Sequence, residues 1–245
     1  MIFKHILAIL ATAMAVQGIP VEKREVVPHD SIAQFRETGP GAVSVPPDAI
    51  GNAFKMFEPY LHIAHGCQSY PAVADNGDTS GGLKDTGSAT GGCNDEGKGQ
   101  TYVRGGWVNG RYGIMYSWYM PKDMANSGVS VGAHRHDWEN VVIWVDNPVA
   151  PTPTLLGGAA SGHGEYKKTP DPPRQDTRPK VEYFTSFPTN HELQFTDTLG
   201  RDLDLVAWDS LPEPARLGLQ NGDFGDAIVP FIDSTFESNL AKAAL

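Results

Sequence analysis

The chain has 245 residues, enough for one sizeable core, with 19 basic against 29 acidic side chains and a formal net charge of −10. That balance argues against nucleic acid as a partner, because affinity for phosphate backbones is carried by Lys and Arg. It also argues against unaided binding to an anionic bilayer, which repels an acidic surface unless a cation screens or bridges the two.

At the N-terminus, Lys4 and His5 precede an uncharged run from Ile6 to Val16, and small residues follow up to Gly18. A basic end, an apolar stretch and a small-residue exit describe a secretory signal over residues 1–18. A membrane-spanning helix needs roughly 20 apolar residues, more than this run offers. Lys23-Arg24 resembles a dibasic processing site, so 19–24 is expected to be a short propeptide and 25–245 a single domain. Loss of residues 1–24 removes three basic side chains and one acidic one, which takes the net charge from −10 to −12. No later apolar run is long enough to span a bilayer, so the mature chain is expected to be extracellular, soluble on release and monomeric in solution.

Residues 25–49 are polar with scattered apolar positions and are expected to wrap the surface; His29-Asp30 is expected to be a surface pair. Phe57 to Ile63 has the composition of a short strand leading into Cys67. Cys67 and Cys93 are the two cysteines, and an even count in a secreted chain predicts a disulfide. The segment between them is glycine-rich and short of apolar residues, and closing a loop of this length is worth about 3 kcal/mol. Thr101 to Val108 and Tyr112 to Met120 are aromatic and β-branched runs joined by Asn109-Gly110, a strong hairpin signal. Pro121-Lys122-Asp123 is expected to end the second strand, and Met124 to Val131 to form a loop.

His134 to Val145 follows as a strand whose apolar second half, Val141 to Val145, suits burial on both faces. Residues 146–180 are rich in Pro, Gly and Ser, with strand hints near Ala159 and Tyr166. Val181 to Ser186 and Leu203 to Trp208 are further strand candidates, and Pro214 to Asn221 a short helix. Ser234 with Glu237 forms a capping-box pattern ahead of a final helix. Trp118, Trp138 and Trp144 are expected in the core. Short strands, long loops and peripheral helices make the fold class mainly β (α+β), a sandwich with helical decoration.

The segment Gly132-Ala133-His134-Arg135-His136-Asp137-Trp138-Glu139 carries the chemistry. In a regular strand Arg135, Asp137 and Glu139 share one face, while His134, His136 and Trp138 share the other. Asp137 and Glu139 would then sit about 7 Å apart and repel unless something positive lies between them. A divalent cation would do this, and hard cations such as Mg²⁺ or Ca²⁺ prefer oxygen ligands, with Asp123 as a third donor. An Arg135 salt bridge to either carboxylate is the alternative. Zinc normally asks for three or four nitrogen or sulfur ligands. The His-x-His followed by Glu is also similar to cupin sites, but Glu139 follows His136 too closely for the usual cupin spacing.

The run from Ile114 to Asp123 and the heptad from Ala133 to Glu139 resemble the double signature of the necrosis- and ethylene-inducing peptide-like proteins. Similar stretches occur at Gly66 to Val73, Thr79 to Leu83, Ser161 to Gly164 and from Val229 into the C-terminal tail, so the resemblance covers nearly the whole mature chain. The two cysteines resemble the family's single-disulfide branch. The resemblance implies an actinoporin-like β-sandwich with an acidic surface cleft that holds a divalent cation, Mg²⁺ or Ca²⁺. Asp123, Asp137 and Glu139 match the family's liganding carboxylates, and His134 matches a residue at the metal. His136 belongs to the same heptad and is taken as a cleft residue with His163, Phe187 and His191. The implied partners are the head groups of glycosylinositol phosphorylceramide sphingolipids in the plant plasma membrane, whose bilayer is then damaged, and plant pattern-recognition receptors that recognise the segment from Gly113 to Glu139.

Two positions depart from the family pattern. The heptad glycine is Ala133, where a positive backbone angle would cost about 1 kcal/mol, unless Gly132 takes the strain. Phe187 stands where the family often carries a loop Trp, and Phe lacks the indole N–H and the interfacial preference of Trp. These departures motivate a second reading, a non-lytic lipid- or sugar-binding relative that acts mainly as an immune elicitor. A third, a metal-dependent hydrolase, lacks an evident nucleophile in the sequence, and no enzymatic turnover is expected.

Overall fold

The computed structural model describes residues 24–186 and 190–245. The expected signal segment, most of the propeptide and Phe187 lie outside these residues. In chain order the elements begin with β1 (Val26–Val27), α1 (Ala49–Met56), β2 (Tyr60–Ile63) and β3 (Thr79–Ser80). The long central strands follow: β4 (Thr101–Val108), β5 (Arg111–Asp123), β6 (His134–Val145) and β7 (Leu155–Gly162). Then come β8 (Glu165–Thr169), β9 (Arg174–Gln175), β10 (Arg178–Ser186), β11 (Asn190–Phe195) and β12 (Leu205–Ala207). Helices α2 (Glu213–Asn221) and α3 (Phe236–Ala243) close the chain.

The central layer is a six-stranded sheet in the order β12-β4-β5-β6-β7-β8. Its β4–β5 hairpin turns at Asn109 (φ +50°) and Gly110 (φ +78°), the left-handed pair that a tight twisted hairpin needs. A smaller sheet, β11-β10-β2, packs on one face through β11 against β6 and β7. The opposite face is covered by α3, where Trp144 Nε1 donates to the Ala243 carbonyl at 3.0 Å. The protein is thus a mainly β, α+β sandwich with helices outside it. Trp118, Trp138 and Trp144 are all buried, and the Cys67–Cys93 disulfide is formed with both residues buried.

Several boundaries differ from the sequence expectation. Residues 49–56 form α1, capped by the Asp48 carboxylate accepting the Gly51 N–H at 2.9 Å, so Phe57 ends a helix and the strand starts at Tyr60. Strand β5 runs through Pro121 to Asp123; the proline sits opposite His136, where the ladder skips a pair and no N–H is required. Helix α3 has Thr235 at its N-cap without a side-chain cap, because the Thr235 hydroxyl donates to the Val229 carbonyl instead, and the expected Ser234–Glu237 box is not made. His29 is buried against Tyr70, with Nε2 2.8 Å from the Gly92 carbonyl, rather than lying on the surface beside exposed Asp30.

Candidate metal centre

Strands β5 and β6 pair antiparallel, and Asp123 at the end of β5 faces His134 at the start of β6 directly across the ladder. Regular alternation would put His134 and Asp137 on opposite faces. It fails at His136, which takes φ +64°, a left-handed conformation rare outside glycine. The reversal brings His134 round to the face of Asp137. One ligand atom from each of Asp123, His134 and Asp137 lies within 4.8 Å of the others. Arg135, expected among these carboxylates, instead donates from Nη1 to the Gly81 carbonyl at 2.7 Å and pairs with no carboxylate among the described residues. The arginine alternative is therefore not realised in the structure. The positive angle of the approach loop falls on Gly132 (φ +77°) and not on Ala133, so the alanine carries no left-handed strain.

The smaller sheet supplies the wall. Asp123 accepts the His191 N–H at 3.0 Å and lies 2.5 Å from His191 Nδ1. The His191 ring stacks on Tyr183 at 4.6 Å. The Tyr183 hydroxyl donates to Asp137 Oδ2 at 2.7 Å, and His134 Nε2 is 3.6 Å from Asp123 Oδ2. Glu139 is buried one alternation along from Asp137, and the Ser161 hydroxyl donates to its carboxylate. His163 sits exposed on the β7–β8 turn with Nε2 3.6 Å from buried Glu192. His136 does not join them. It is buried on the other face, with Nδ1 2.7 Å from the Tyr119 hydroxyl and its ring edge-on to Phe224. This corrects its expected place in the cleft.

Burial and mutual repulsion shift the carboxylates of this face. Burial, and then the neighbouring Asp123 charge, raise Asp137 from its ordinary 3.8 to about 6. Burial, and then Asp137, push Glu139 well above the carboxylate range. Burial lowers His136 to about 4, helped by Arg135, so it stays neutral in the interior. Buried carboxylates that repel one another make a favourable seat for a divalent cation, which restores their ionised forms. Two ligands on opposite sides of a Ca²⁺ ion are about 4.6–5.2 Å apart, so the spread of Asp123, His134 and Asp137 fits such an ion. Of the residues named here, the sequence had no means of singling out Tyr183 or Ser161: their types and spacing match any inward strand position.

The group opens into a notch of about 510 Å³ that also takes in Glu139, His163 and His191. The notch exists because β7 pairs with β6 only from Val141 onward, leaving the His134–Glu139 edge of β6 without a strand on that side. A second cavity of about 570 Å³ is lined by Arg36, Glu37, Lys55, Glu58, Arg178 and Asp202. Its charges pair among themselves, and burial raises Glu58 to about 9 despite Arg178.

Residues 51–243 match the family model described as necrosis inducing protein (NPP1). The chain is 43% identical over 222 residues to NLP effector protein 3 of Phytophthora capsici, covering 89% of this chain and 90% of that one. It superposes with a TM-score of 0.81, at 40% identity, on the structure described as NLPPya in complex with mannosamine, covering 90% and 99% of the two chains. It superposes equally well, at 0.81 and 38% identity, on the structure described as non-toxic HaNLP3, covering 88% and 98%.

Proposed function

The chain belongs to the necrosis-inducing protein (NPP1) family, and from that premise we propose that it is a secreted effector that grips a plant sphingolipid head group over a divalent cation and then damages the plasma membrane. The observation that carries this reading is the convergence of Asp123, His134 and Asp137 in the lining of a notch of about 510 Å³, room for a sugar. The cation, Mg²⁺ or Ca²⁺, would be held by these three residues with Glu139 behind them, and would supply a Lewis-acidic seat for sugar hydroxyls. His191 and Tyr183 hold the two aspartates in place by the hydrogen bonds above, and loss of such outer partners typically costs about 10–100-fold in metal affinity. A relative bound to mannosamine supports a sugar as the group that is gripped.

The surroundings suit a membrane surface. Ile228, 68% exposed on the rim of the notch, offers apolar contact beside the site, and Val131, three residues before His134 in the chain, is 75% exposed. Among the described residues no helix is long and apolar enough to cross a membrane. The net negative charge makes a bridging cation necessary for an acidic protein to meet an anionic lipid. The test is dye release from vesicles containing plant glycosylated sphingolipid. Leakage with Mg²⁺ or Ca²⁺ that stops in chelator is expected, and absence of leakage at every dose with cation present overturns the lytic part.

A second reading has its own observation: a non-toxic relative shares this fold at the same TM-score, so the fold alone does not entail lysis. On that reading the protein binds sugar or lipid without leakage and serves as an elicitor recognised by plant receptors. Lipid binding without dye release separates the two.

A further inference from the structure

Away from the cation group, β1 and β3 form a parallel two-stranded sheet, with Val26 opposite Thr79 and Val27 opposite Ser80. The Thr79 N–H donates to the Glu25 carbonyl at 2.9 Å, and the Gly81 N–H to the Val27 carbonyl at 2.7 Å. One residue ahead of β1, the Glu25 N–H donates to Asp78 Oδ1 at 2.7 Å. Asp78 is half-buried, and its other oxygen accepts from Asn76 Nδ2 at 2.8 Å. No Lys, Arg or His pairs with it among the described residues, so its charge meets neutral donors only.

The nitrogen that Asp78 holds belongs to the residue directly after Lys23-Arg24. Arg24 is half-buried, and Glu25 and Val26 are exposed, so the bond between Arg24 and Glu25 lies at the surface. An endoprotease specific for paired basic residues would cut there. Water adds across the peptide bond: the Arg24 carbonyl leaves as a carboxylate, and the Glu25 nitrogen becomes an α-amine. That amine has an ordinary pKa of about 8 and is an ammonium at neutral pH. The atom that already contacts Asp78 therefore changes from a neutral donor into a charged one in place. Hydrogen bonds between ionised partners are roughly twice as strong as neutral ones.

The strand so fastened lies behind the heptad. From β3, Ser80 Oγ is 2.9 Å from the Tyr119 hydroxyl, which is itself 2.7 Å from His136 Nδ1. The next residue, Gly81, accepts from Arg135 with its carbonyl and donates to Val27 with its N–H. β1 thus bears on Arg135 and His136, where β6 reverses.

We propose that the Arg24–Glu25 bond is a proteolytic maturation site and that Asp78 is the seat of the ammonium its cleavage releases, an ion pair that locks β1 onto β3. This does not depend on the lipid or cation reading above.

Two measurements test it. N-terminal sequencing of the chain secreted by a host with such a protease should read Glu25 first, and Arg24→Gln should keep the upstream residues. Wild-type protein that retains Lys23-Arg24 and withstands the purified protease overturns the cleavage. Hydrogen exchange then reads the lock at the Thr79 and Gly81 amides, which donate to β1. Processed wild type should exchange there about 2–5-fold more slowly than Arg24→Gln, the size of a partly exposed ion pair. The same comparison in the Asp78→Asn background, which keeps an acceptor but removes its charge, should show no difference. Taking the difference within each background cancels any effect of Asp78→Asn on folding itself. Equal exchange in processed and unprocessed wild type, or a difference that persists with Asp78→Asn, overturns the seat.

Discussion

Asp137→Asn should stabilise the cation-free protein and abolish its response to divalent cation. The carboxyl is raised from 3.8 to about 6 by burial and by Asp123. A raised carboxyl binds its proton more tightly in the folded state than in the unfolded one. Its contribution to stability is thus full below pH ~3.8 and is lost as pH rises through ~6. At pH 7.5 in chelator the folded protein therefore carries a penalty of roughly 3 kcal/mol on this account. Asparagine has no charge to bury, and its oxygen can still accept the Tyr183 hydroxyl. After relaxation a gain of about 1–2 kcal/mol is expected, which for a domain of this size raises Tm by about 2–8 °C. Adding millimolar Mg²⁺ or Ca²⁺ should raise Tm of the wild type and leave Asp137→Asn unmoved. Scanning calorimetry of both proteins, with chelator and with cation, reads all four values. A variant less stable than wild type in chelator, together with a wild type indifferent to cation, refutes the reasoning.

Protons should compete with the cation at the same carboxylate, so calorimetric affinity is expected to fall about 10-fold per pH unit below ~6 and to level off above it; a flat profile between pH 5 and 7.5 counts against Asp137 as a ligand. His191→Ala removes the ring's contact to Asp123 and its stack on Tyr183, and should lower cation affinity about 10–100-fold, with a fall in Tm from the lost buried packing. His136→Asn keeps a residue tolerant of the left-handed angle but loses the packing on Phe224, so urea titration should show a loss of about 1–3 kcal/mol with cation affinity intact. Removing the Cys67–Cys93 disulfide should cost about 2–4 kcal/mol by the same titration.

The β4–β5–β6 core was legible in the residues because its signals are local. Asn109-Gly110 fixes the hairpin, and the apolar run from Val141 to Val145 fits a strand covered on both faces. Strand β11 was not legible: His191 and Glu192 are both buried, and a buried polar pair breaks the alternation by which a strand is recognised. Helix α1 was hidden by its brevity and by Gly51 and Asn52 inside it, which dilute helical propensity. At the site, two-residue alternation separated His134 from Asp137 and grouped Arg135 with the carboxylates. One left-handed residue, His136, inverts that arrangement, and nothing in the local pattern announces it. Family resemblance placed His134 at the cleft where periodicity did not.

Crystals of the protein soaked in Mn²⁺, with anomalous data at the manganese edge, test the cation claim most directly. The account predicts a single strong peak within bonding distance of Asp123, His134 and Asp137, lost in Asp137→Asn. A map without density there, from crystals that nonetheless bind mannosamine in the notch, contradicts it.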